Sequence, residues 1–157
     1  MTPVDGLRES LIDMVDSFIG KYHGTHWQGT SELWTDPLGN EVDTSDCSLK
    51  IESGQIVYTW SFQGEEQQGR LTFGSDRAVW QDSWHQAKSV DCNYMDQAWG
   101  IVTIEYTYPA SQGPDWGWRI KLSQRPDESL VLQMTNLAPW GEEGRAVRMI
   151  FKEIEKF

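Results

Sequence analysis

The stretch FIGKYHGTHWQGTSELW, residues 18–34, decides the fold of this chain, because one hydrophobic period gives way to another within it. Upstream, Leu7, Leu11, Met14, Val15 and Phe18 recur at helical spacing, and Ile12 and Ile19 widen the apolar face. Thr2 and Pro3 suit the N-cap and first helical position, Asp5 completes a capping-box-like pattern, and Gly20 reads as the stop. The spacing therefore predicts a helix over residues 3–19. Beyond it, Gly24 and Gly29 allow a first β-strand to curve.

From there the period is two. IVYTWSF (56–62) sets Ile56, Tyr58, Trp60 and Phe62 against Val57, Thr59 and Ser61. In IVTIEYTY (101–108), Val102, Ile104, Tyr106 and Tyr108 oppose Thr103, Glu105 and Thr107, and in WGWRIKL (116–122) Trp116, Trp118, Ile120 and Leu122 oppose Gly117, Arg119 and Lys121. Turn-forming clusters follow at short intervals: 36–40, 52–55, 62–69, 73–76, 108–115, 124–129 and 138–144. RAVRMIFKEIEKF (145–157) is read as the closing strand, although Ile150, Ile154 and Phe157 also fit a helical period. One short helix cannot cover such a sheet, so it must close on itself or fold into a sandwich; because closure also removes exposed edges, the expectation is an all-β protein, an antiparallel up-and-down barrel of about nine to ten strands. The helix caps one end. All 157 residues are read as a single domain, helix about 3–19 and barrel about 21–155.

A net charge of −11 opposes binding to phosphate backbones or anionic lipid, so neither nucleic acid nor membrane is expected as a partner. The acidic N-terminal segment does not read as a signal peptide, and no apolar run is long enough to span a bilayer. A cytoplasmic location is the expectation, with Cys47 and Cys92 reduced.

Three features bear on chemistry. His23 and His26 fall on opposite faces of a strand, so they are not expected to share a metal, and no metal site is predicted. WQDSWH (80–85), read as a strand, puts Trp80, Asp82 and Trp84 on one face and Ser83 and His85 on the other, which leaves no serine-type triad. Asp82 among indoles must gain a hydrogen bond or change its pKa, which makes it a candidate ligand contact, a base, or an organiser of the core. With apolar faces turned inward, Tyr58, Trp60, Trp80, Trp84, Tyr106, Trp116, Trp118, Leu132, Met134 and Met149 line the interior, and a barrel of this size is expected to hold a cavity. The chain contains nine tryptophans, enough for both an aromatic core and an aromatic pocket.

A short helix running into Phe18-x-Gly20-x-Tyr22-x-Gly24 resembles the start of the calycin superfamily, which includes lipocalins, fatty-acid-binding proteins and bacterial nitrobindin-like barrels. Trp80 to Ser83 and Trp116-Gly117-Trp118 support the resemblance more loosely. It implies a barrel enclosing an apolar ligand. Nitrobindin-like members bind haem through a histidine near the C-terminus; residues 141–157 contain none, and His26 stands where their last glycine would be. Haem would thus need another histidine. Fatty-acid-binding members meet a carboxylate with late-strand arginines, which implies Arg119 or Arg148; the alternation opposes Arg119 and leaves Arg148 as the candidate.

The resulting expectation is non-covalent binding of a small hydrophobic or aromatic molecule, with contacts from Tyr58, Trp60, Trp80, Asp82, Trp84, Tyr106, Trp118, Met134 and Arg148. Catalysis is not required. The alternatives are a haem-dependent or acid/base isomerase-type enzyme, using His23, His26 or His85 with Asp82, and a structural module whose tryptophans bury at an oligomer contact.

Overall fold

The computed structural model describes residues 3–36, 40–95, 100–109 and 113–154, with side-chain surroundings from Asp13 onward. A helix, α1 (Pro3–Tyr22), leads into ten antiparallel strands: β1 (His26–Trp34), β2 (Val42–Glu52), β3 (Gln55–Phe62), β4 (Glu65–Phe73), β5 (Ala78–Asp82), β6 (Gln86–Tyr94), β7 (Val102–Tyr108), β8 (Trp116–Gln124), β9 (Leu130–Leu137) and β10 (Glu143–Ile154). Each strand pairs with its sequence neighbour, and β10 returns to β1 to close the barrel. The all-β barrel and its helix match the expectation, and the final segment is a strand up to Ile154.

Alternation explains the closure. On β3, Ile56, Tyr58 and Trp60 are buried, and the same holds for Leu49 and Ile51 on β2, Leu130, Leu132 and Met134 on β9, and Val147, Met149 and Phe151 on β10. Their side chains meet in one cluster along the barrel axis. A one-residue slip on any strand would turn this set toward water, so burial pins the register. Two glycines are required by close approach: a Cβ on Gly29 would lie 1.6 Å from the carbonyl oxygen of Ile150, and one on Gly69 would lie 2.0 Å from the Tyr58 ring. β6 and β7 pair at Asn93↔Glu105 and Tyr94↔Ile104 among the described residues, and just beyond them the Met95 N–H donates to Thr103 O. This is the shortest seam of the barrel.

The helix differs from the expectation at its end. It runs through Gly20 to Tyr22, and the reversal falls at Gly24, whose φ is +81°. The reason lies in tertiary contacts. Tyr22 is buried between Phe18 and Trp27, at ring centroid distances of 5.1 and 5.4 Å, and its carbonyl accepts the N–H of Thr25. Gly24 N–H donates to Ile51 O, which ties the reversal to β2. Val15, Phe18 and Ile19 are buried as expected, whereas Met14, assigned to the same face, is 48% exposed. Met14 sits at the edge of the apolar stripe, beyond the arc that meets the strands. The expected roles of Thr2, Asp5, Leu7, Leu11, Ile12 and Phe157, and parts of the turns at 36–40 and 108–115, lie outside the described residues.

α1 thus closes the end of the barrel where β1 starts and β2 ends. The opposite end is formed by the last residues of β1, β3, β5, β7 and β9 and the first residues of their partners. That open end carries the site.

Candidate functional site

The site is built around the short turn between β5 and β6. β5 ends at Asp82, and residues 83–85 reverse the chain. Asp82 Oδ1 accepts the backbone N–H of Trp84 at 2.8 Å and of His85 at 2.9 Å, the local bonding by which aspartate starts a turn. Ser83 anchors the turn to β4: its N–H donates to Gln68 O, and its hydroxyl donates to Gln67 Oε1 at 2.7 Å while accepting the Gln68 N–H. The strand reading of WQDSWH is therefore corrected from Ser83 onward. Asp82 and His85, expected on opposite faces, meet: Oδ1 lies 3.2 Å from His85 Nδ1.

Asp82 is fully buried. Its second oxygen accepts the Tyr58 hydroxyl at 2.7 Å, and Tyr58 in turn accepts the Trp80 indole N–H at 3.1 Å. Burial alone would push the Asp82 carboxyl up. Hydrogen bonding and charge from His85, with the Tyr58 hydroxyl and the His85 N–H, outweigh burial and hold it below the ordinary carboxylate value. Tyr58 goes the other way, well above the usual phenol range, because of burial and then the adjacent Asp82 charge. Trp80, Tyr58, Asp82 and His85 thus form one continuous chain of hydrogen bonds from the core to the mouth.

His85 emerges from this chain into a cavity of about 380 Å³ at the open end. Its walls are tryptophans: Trp34 from β1, Trp84 from the β5–β6 turn, Trp116 and Trp118 from β8, and Trp140 from the β9–β10 turn. Trp140 packs edge-on against Trp116 at 5.2 Å, and Trp84 lies tilted against Phe62 at 4.7 Å. Trp140 and Trp84 remain 65% and 46% exposed. The His85 ring is held between Trp118, at 5.2 Å, and Trp60, at 5.8 Å. Asn136, Asp36, Glu142, Glu143 and Arg145 supply polar groups, and the Arg145 guanidinium lies 4.6 Å over the Trp34 ring.

The residues expected to contact a ligand separate into three groups. Trp84 and Trp118 line this cavity. Tyr58, Trp60, Trp80, Asp82 and Met134 lie beneath it in the packed core, each at most 1% exposed, and Tyr106 is half-buried beside its neighbour Tyr108. Arg148 points outward on β10, where its guanidinium donates twice to Glu32, at 2.7 and 2.9 Å. Arg119 also lies outside, between Glu105 and Glu143. Sequence reasoning omitted Trp34, Trp140, Asn136 and Arg145, all contributed by strand ends and turns. The one local signal was Asp-Ser in the middle of WQDSWH, which is turn chemistry rather than strand chemistry.

The histidines do not gather. His23 is exposed at the end of α1 and His26 starts β1, while His85 is at the opposite end. No group of three His, Cys, Asp or Glu suited to a metal occurs among the described residues. Of the three, His85 is the one that lines the cavity, so it would have to hold any haem there. A haem must bring a whole macrocycle face against its axial nitrogen, and the His85 side chain is only 6% exposed between two indoles, so the residues present do not fit a group of that size. Cys47 and Cys92 are free thiols, both buried. No described helix is long and apolar enough to cross a membrane. The closed ten-strand antiparallel barrel is compatible with a calycin-like architecture. Comparison with protein-family models, curated proteins and solved structures yields no match.

Proposed function

We propose that this chain is a calycin-type barrel, one cytoplasmic domain, that binds a small hydrophobic or aromatic molecule non-covalently in the tryptophan-walled cavity at its open end. The observation that carries this reading is the cavity: five indoles from four separate segments surround about 380 Å³, within the roughly 300–1,000 Å³ common for ligand sites. Two of those indoles stay substantially exposed although other tryptophans are buried, an arrangement that folding alone does not require. Small-molecule recognition of this kind uses flat apolar walls with a few placed polar groups, and His85 and Asn136 fill that role.

Tryptophan fluorescence tests the reading. Aromatic and acyl probes at micromolar concentrations are expected to quench or shift the emission saturably, and the double variant W84A/W140A is expected to weaken that response at least about tenfold. A flat response across both probe classes overturns it.

A second reading, an acid/base enzyme on the same barrel, is favoured by Asp82 standing behind His85, since a histidine oriented by a carboxylate is a common proton acceptor. Proton exchange at an acidic C–H of a bound carbonyl probe, lost in H85F, would support it. The absence of catalysed exchange in the wild type would remove it.

A further inference from the structure

We propose that the cavity selects guests carrying a neutral hydroxyl on an aromatic ring, that is phenols, whose O–H donates to Nε2 of His85; this rests on the binding reading above. The first argument is hydrogen-bond polarity. An ionised carboxylate only accepts, so the Asp82 contact requires the hydrogen of the neutral imidazole to sit on Nδ1, which leaves Nε2 with its lone pair. Asp82 is not free to turn away. It holds the Trp84 and His85 N–H groups on one oxygen and the Tyr58 hydroxyl on the other, and Trp80 fixes Tyr58 in turn. Trp60 and Trp118 then hold the ring plane. His85 is in this way a pre-oriented acceptor in the wall of an aromatic cavity.

The second argument is what the other polar groups are doing. Asn136 spends its amide hydrogens on the Tyr108 hydroxyl and the Gly117 carbonyl, so its own oxygen is a further acceptor. The charged groups around the cavity are Asp36, Glu142, Glu143 and Arg145, with Asp82 behind the ring. Asp36 accepts the backbone N–H groups of Asn40 and Glu41, Glu143 is paired with Arg119, and Arg145 is stacked on Trp34. Three of the four rim charges are thus engaged by the protein, while neutral acceptors stand among the indoles. That combination favours a neutral donor on a flat ring over an ammonium or a carboxylate.

Three probes of similar size test the proposal by fluorescence titration of the whole chain at about pH 8, where both the phenol and an ordinary imidazole are neutral: 4-chlorophenol, 4-chloroanisole and 4-chlorobenzylamine. 4-Chlorophenol is expected to bind about tenfold more tightly than 4-chloroanisole, which lacks the donor. H85F is expected to equalise the two. D82N, which frees the ring to carry its hydrogen on Nε2, is expected to reduce the preference in the same way; Asp82 acts here as a positioning residue. Equal binding of 4-chlorophenol and 4-chloroanisole to the wild type overturns the inference and leaves the pocket standing. A preference for 4-chlorobenzylamine overturns it as well, because recognition would then belong to the rim carboxylates. Failure of all three probes to bind removes the pocket along with it.

Discussion

Oδ1 of Asp82 lies 3.2 Å from Nδ1 of His85, and the same oxygen collects the backbone N–H of Trp84 and of His85. One buried carboxylate therefore shapes the β5–β6 turn and orients the histidine that the turn presents. The other oxygen, bonded to Tyr58, ties this arrangement to the core.

Acid stability should report on Asp82. Its carboxyl is held below the ordinary value in the folded state, against an unfolded reference near about 3.9. The stabilisation is therefore complete above about pH 3.9 and is lost as pH falls through the lower folded value. Urea unfolding of D82N should show a loss of about 3–5 kcal/mol at neutral pH and a shallower slope below about pH 4. Identical acid slopes for D82N and wild type would contradict this.

Gly69 and Tyr58 should be strongly coupled. G69A forces a methyl group to within 2.0 Å of the Tyr58 ring, so the ring and its bond to Asp82 must shift. A cost of about 3 kcal/mol or more is expected in the wild type. In a Y58A background, where the ring is gone, the same change should cost far less, and a double-mutant cycle would read the difference. Additive costs would show that the two do not touch.

The tryptophans should divide by position. W80A removes a fully buried ring that bonds to Tyr58 and should cost about 3–5 kcal/mol. W140A removes a ring that is 65% exposed and should change stability by less than about 0.5 kcal/mol while lowering ligand affinity. Denaturation and fluorescence titration of both variants check the division.

The two thiols should be silent in the native protein. Burial, and secondarily the neighbouring Asp46 and Asp91, push Cys47 and Cys92 up to about 12, so little thiolate exists near neutral pH. Thiol reagents should modify both only as fast as the barrel opens. Rapid labelling of either at neutral pH would be inconsistent with their burial.

Arg148 should matter little to the mouth. It pairs with Glu32 on the outer face, with side chains 38% and 26% exposed, and such pairs contribute at most about 1 kcal/mol after solvent screening. Its guanidinium also lies 6.0 Å from the centre of the Trp34 ring, farther than Arg145 at 4.6 Å. R148Q should therefore lower ligand affinity by less than about threefold. An affinity drop of tenfold would place an anion contact on β10 instead.

Much of this was legible from residues alone. The run Ile56, Tyr58, Trp60 alternating with Val57, Thr59, Ser61 can satisfy only a strand with one buried face, and that periodicity, repeated between turns, leaves a closed barrel or a sandwich, of which closure also removes the edges. The helix was legible by the same logic, though its end was not: Gly20 looked like a stop until Tyr22 found its place between Phe18 and Trp27. Periodicity reports which residues share a face, and it carries no information about which end of a closed barrel remains open.

The site depended on that second kind of information. Trp34, Trp84, Trp116, Trp118 and Trp140 are spread over more than a hundred residues, and only the pairing of β1 with β10 and of β8 with β9 brings them to one rim. His85 seemed to point away from Asp82 because a strand was assumed to continue through Ser83. Local period determined the barrel and the character of its interior; strand register, turn placement and the capping of one end by α1 decided where the cavity lies, because those are set by contacts between residues far apart in the chain.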